Sequence, residues 1–88
     1  MSSIKISFPA TMVKDIIVPE GSFFFHTLDN AIADDGKGGF ISVDELSQIT
    51  AWYTLYADNP SEQGLYKKLV DALNISTNND ELILSYEN

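Results

Sequence analysis

Both ends of this chain alternate. Ile4, Ile6 and Phe8 are interleaved with Lys5 and Ser7, and Leu82, Leu84 and Tyr86 with Ile83 and Ser85. A period of two puts one set of side chains on each face of a strand, so each end has an apolar face to bury. Two strands alone are only marginally stable in water. Eighty-eight residues suit one small domain, residues 1–88. The two ends are therefore expected to share one sheet, with the segments between them supplying its cover.

Those segments read in order. The first strand, residues 4–8, stops at Pro9, and Ala10-Thr11 is a turn. A second strand at 13–18 runs up to Pro19 and pairs with the first, although Ile16-Ile17-Val18 breaks strict alternation. Pro19-Glu20-Gly21-Ser22 is punctuation, with Ser22 placed to cap a helix. That helix spans 23–33, with Phe24, Phe25, Leu28, Ala31 and Ile32 on one face. Residues 34–40 form a glycine-rich loop. Ser42-Val43-Asp44-Glu45 is a capping box opening a second helix, 43–57, whose stripe is Leu46, Ile49, Tyr53 and Tyr56, flanked by Trp52. Asn59 and Pro60 start a third helix, 60–73, with Glu62 in a second box-like pairing and Leu65, Tyr66, Leu69, Val70 and Leu73 facing inward. A polar turn, Thr77 to Asp80, leads to the closing strand at 82–86. The expected fold is α+β: a three-stranded sheet, chain order β-β-α-α-α-β, with three helices on one face.

Composition narrows function. The chain is 44% hydrophobic with ten aromatic residues, which is the make-up of a folded domain. It has no cysteine, which excludes disulfides, thiolate metal sites and cysteine nucleophiles. No secretory leader precedes Ile4 and no apolar run approaches membrane-spanning length, so the expectation is a cytoplasmic protein without membrane contact. Catalysis has little to draw on. His26 is the lone histidine and sits among phenylalanines, where a boundary role is the ordinary one. No zinc-ligand spacing, nucleophile elbow or phosphate loop is present. A non-enzymatic protein without a cofactor is expected.

The stretch from Asp34 to Tyr53 resembles the calcium loop and exit helix of the EF-hand family. Asp34 falls at loop position 1, Gly39 at 6, Ile41 at 8, Ser42 at 9 and Glu45 at 12. The resemblance implies calcium donors at Asp34, Ser42, Glu45 and the Phe40 carbonyl. Positions 3 and 5 are Gly36 and Gly38, which bring no side chain, and Glu45 is also claimed by the capping box. Calcium binding is therefore the alternative reading, and a structural or scaffold role the third.

Charge leads to the first reading. Five lysines, no arginine and thirteen acidic residues give a net charge of −8. Such a surface repels nucleic acid and is drawn to basic proteins. Asp34, Asp35, Asp44, Asp58 and Glu62 belong to the connections around the second helix, with Trp52 and Tyr56 near them. Aromatic anchors inside a charged rim suit a protein interface. In size and charge the chain is similar to small acidic inhibitors of nucleic-acid enzymes, such as toxin-immunity and anti-CRISPR proteins. The expected function is an inhibitor that blocks a basic, nucleic-acid-handling partner through those seven residues.

Overall fold

A computed structural model describes residues 3–11, 13–35, 39–56 and 62–87, with the backbone alone at Phe23, Ala33, Asp34, Asp35 and Tyr56. Its elements are β1 (Ser3–Ser7), β2 (Ile16–Pro19), α1 (Phe23–Asp35), β3 (Phe40–Ser42), α2 (Val43–Tyr56), α3 (Gln63–Asn74) and β4 (Glu81–Glu87). The four strands form one antiparallel sheet in the order β2-β1-β4-β3. The α+β class and the pairing of both chain ends are as expected. The sheet has four strands rather than three, because the glycine-rich connection delivers a short edge strand. Chain order is thus β-β-α-β-α-α-β.

Gly39 makes that extra strand possible. Its φ is +94°, and its carbonyl accepts a hydrogen bond from the Leu84 amide at 2.6 Å. A Cβ at this position would lie 2.4 Å from the Leu84 carbonyl oxygen, so only glycine lets the chain approach β4 this closely. Phe40 then faces Ile83 across the pair, and Ile41, opposite Leu82, is buried.

β1 and β4 are the inner strands. Ser3 lies opposite Glu87, Ile4 opposite Tyr86 and Ile6 opposite Leu84. Ile4, Ile6, Ile16, Val18, Ile41, Leu82 and Leu84 all point into one core. The second strand is shorter than expected and starts at Ile16, where strict alternation begins. Ile17 faces out and Val13 packs at the core margin. On the open face Lys5 bonds Glu87 at 3.0 Å and approaches Asp15 at 4.0 Å. The Glu87 hydrogen bond raises the ammonium pKa above its ordinary value.

Ser22 does cap α1, accepting a hydrogen bond from the Phe24 amide at 3.1 Å. The three helices each contribute one ring to a cluster: Phe24, Tyr53 and Tyr66, with centroids 5.2, 6.2 and 6.3 Å apart. Tilted pairs at these spacings add stabilisation beyond their buried area. From α3, Leu69, Ala72 and Leu73 complete the layer. Val70, expected inside, is exposed, because Ala72 and Leu73 hold the inward positions. The third helix begins at Gln63; the expected cap Asn59 and first-turn Pro60 lie outside the described residues. No helix among the described residues is long and apolar enough to cross a membrane.

Candidate partner-binding surface

α2 is anchored at its start by several bonds. Ser42 Oγ accepts from the Glu45 amide at 3.1 Å, which is the cap expected from the sequence. The amides of Val43 and Asp44 donate to the Asp80 and Asn78 carbonyls in the turn before β4, at 2.9 and 3.2 Å. The amides of Val43, Asp44 and Glu45 are thus used within the protein, and the opening carboxylates of α2 face water. Asp44 and Glu45 are both exposed, and Asp44 accepts from Gln48 Nε2 at 3.1 Å.

Along α2 the inner face is Val43, Leu46, Thr50 and Tyr53. Thr50, absent from the expected stripe, is 1% exposed; its hydroxyl donates to the Leu46 carbonyl at 2.8 Å, which makes burial tolerable. The outer face runs from carboxylates to carbon. Asp44, Glu45 and Gln48 occupy the first turns, and Trp52 and Leu55 the last, exposed by 55% and 75%. Large apolar side chains left open beside charge are the informative kind of surface. Leu55 was legible in the sequence, since it falls on the side of the helix opposite the Leu46-Tyr53 stripe.

Between α1 and α2 lies a shallow groove of about 320 Å³, lined by Thr27, Ile49, Trp52 and Tyr53. Tyr53 bridges the two helices. Its hydroxyl shares a hydrogen bond with Thr27 Oγ1 at 2.5 Å, and the Trp52 ring stands edge-on to it at 5.1 Å.

The expected binding residues separate into three groups. Asp44 and Trp52 share the outer face of α2. Asp34 and Asp35 end α1 and Tyr56 ends α2, but their side chains lie outside the described residues, as does all of Asp58. Glu62 is a correction: it is 8% exposed and not part of a rim. Its carboxylate accepts a hydrogen bond from Tyr66 Oη at 3.0 Å, because a tyrosine turned into the core needs a partner for its hydroxyl. Burial, then this bond, pushes the Tyr66 pKa up to about 12. Nor does the Glu62 side chain cap α3.

Of the alternative calcium donors, Ser42 Oγ serves as the α2 cap, Phe40 lies in β3 opposite Ile83, and Glu45 is exposed. Asp34 offers only backbone to the description. No group of three or more acidic, histidine or cysteine side chains suited to a metal occurs among the described residues.

Charge is divided across the fold. α1 and α2 contain no lysine. Lys67 and Lys68 are on α3 and Lys14 precedes β2, and none of the three forms an ion pair among the described residues. No protein-family model matches the chain, and comparison with curated proteins and with solved structures returned no significant match.

Proposed function

We propose that this protein is a small, non-enzymatic, acidic inhibitor that acts in the cytoplasm on a basic protein partner, blocking a surface that handles nucleic acid. The observation that carries the reading is the outer face of α2. Exposed Asp44 and Glu45 stand about two turns from exposed Trp52 and about three from exposed Leu55, on a side of the molecule whose helices contain no lysine. Carboxylates of this kind compete with phosphates for lysine and arginine, and the aromatic end supplies contact area that salt does not screen. The net charge of −8 speeds encounter with such a partner more than it fixes affinity.

The test has two stages. Basic proteins are captured from the host lysate at low salt and identified by mass. Each one's affinity for nucleic acid is then measured as this protein is added. Nucleic-acid binding should fall, and the association rate should drop as salt shortens the Debye length to about 3 Å at 1 M. A partner that binds nucleic acid equally well in the presence of this protein would remove the inhibitory reading. If Asp44→Asn with Glu45→Gln alters neither association rate nor affinity, the contact moves to the open sheet face around Ile17, Phe40 and Ile83.

A further inference from the structure

We propose that the groove between α1 and α2 receives a basic amphipathic helix, its apolar anchor against Ile49, Trp52 and Tyr53 and its lysine or arginine side chains at Asp44 and Glu45. This inference rests on the binding function above and specifies the partner's shape. The first support is the groove itself. Its walls are two helices, and its lining of Thr27, Ile49, Trp52 and Tyr53 is mostly carbon. Backbone groups in the middle of a helix are already paired, so an extended peptide lying there would gain no ladder hydrogen bonds. A strand would instead need β2 or β3, which lie at the two ends of the sheet. A helix needs only side-chain contacts at i, i+4 and i+7, which a groove between helices accommodates.

Charge selects among helices. Exposed Glu45 precedes Trp52 by seven residues on the same flank of α2, exposed Asp44 adjoins it, and both flanking helices lack lysine, so the complementary ligand is basic. A second copy of a chain with net charge −8 would be repelled. Spacing adds a further constraint. Glu45 and Trp52 are two helical turns apart, roughly 10 Å along the axis. A helix lying beside α2 has the same rise, so its anchor and its basic residue should be about seven positions apart.

Trp52 is the only tryptophan, so its fluorescence reports on the groove. The probe is a panel of synthetic helical peptides with leucines at i and i+4 and paired arginines at i+7 and i+8, or at i−3 and i−4 for the opposite helix direction. Controls exchange arginine for glutamate, or scramble the order at constant composition. A saturable blue shift of Trp52 emission is expected with the patterned basic peptides and not with either control. Asp44→Asn with Glu45→Gln should weaken binding roughly five- to tenfold, the scale of two exposed ion pairs. Trp52→Ala, followed by calorimetry, should weaken it by roughly tenfold or more, as loss of a central aromatic anchor does. Both variants should keep the wild-type circular dichroism.

Three results would overturn the proposal: no saturable shift with any peptide of the panel, an equal shift with the scrambled control, or the same shift on concentrating the protein alone. The last would make a second copy the occupant. With a captured partner, binding that weakens in the Asp44/Glu45 variant but is indifferent to Trp52→Ala keeps the acidic-inhibitor reading and removes the groove. Binding indifferent to both removes the groove and moves the inhibitor's contact from α2 to the open sheet face.

Discussion

Tyr66→Phe isolates one buried polar contact. The substitution keeps the ring, which packs with Phe24 and Tyr53, and deletes only the hydroxyl that donates to Glu62 Oε2 at 3.0 Å. A hydrogen bond to a charged acceptor contributes about 1.5–3 kcal/mol net, and its loss leaves a buried carboxylate short of one donor. For a domain of this size that corresponds to a fall in Tm of about 6–24 °C. The pH dependence has a definite sign. Tyr66 has a pKa of about 12 in the folded protein, against an ordinary value of 10.0, chiefly through burial and then through the bond to Glu62. The folded state holds this proton more tightly than the unfolded chain. The contribution is therefore complete below pH 10 and lost as pH rises from about 10 to 12, by about 2–3 kcal/mol. Urea unfolding of wild type and variant at pH 8 and across pH 10–12 measures both effects. The difference between the two proteins should shrink through that window, since lysine titration is common to both. A cost at pH 8 below about 0.5 kcal/mol, with parallel alkaline curves, would refute the Tyr66–Glu62 contact. A double-mutant cycle with Glu62→Gln should give a coupling energy of about 0.5–3 kcal/mol.

Three other substitutions or additions test the fold and the loop. Leu69→Ala, at a fully buried position of α3, should cost about 2–5 kcal/mol in urea unfolding, and a loss under half of one would remove Leu69 from the core. Gly39→Ala should cost at least about 1–2 kcal/mol from the left-handed backbone alone, with the clash at the Leu84 carbonyl added, and amide exchange should rise at Leu84; unchanged exchange would place β3 elsewhere. Millimolar calcium should leave the Tm unchanged; a rise that disappears in Glu45→Gln would establish a metal site in the Asp34–Glu45 loop.

The parts of the fold readable from the sequence were those with a period long enough to register. Five alternating residues at the start of the chain and five at its end sufficed for β1 and β4, and Leu65, Leu69 and Leu73 sufficed for α3. β3 could not be read that way, because three residues with one inward side chain have no period. Ile16-Ile17-Val18 obscured its own alternation, since Ile17 lies on a sheet face that no helix among the described residues covers. Polar burial was the other gap. Thr50 and Glu62 are inside where a neighbour bonds each of them: the Leu46 carbonyl accepts from Thr50, and the Tyr66 hydroxyl donates to Glu62 Oε2. Residue type predicts the surface for both, and only the direction of a neighbouring group reverses it. At the candidate site, Asp44 and Trp52 were legible from charge and helical phase. The groove was not, because it depends on how α1 and α2 come together around the Thr27–Tyr53 bond.

The position of β4 affects how the protein can be made. It leaves the ribosome after the other six elements, yet it lies between β1 and β3, and Ser3 meets Glu87 across 84 residues of sequence. While residues 81–87 remain in the exit tunnel, β1 has only β2 to pair with and β3 has no strand beside it. The Asn78 and Asp80 carbonyls that hold the start of α2 also emerge only after α2 and α3. Native assembly is thus deferred until synthesis has passed β4, and a nascent chain stalled short of residue 81 would present the apolar sides of Ile4, Ile6 and Ile41 to chaperones.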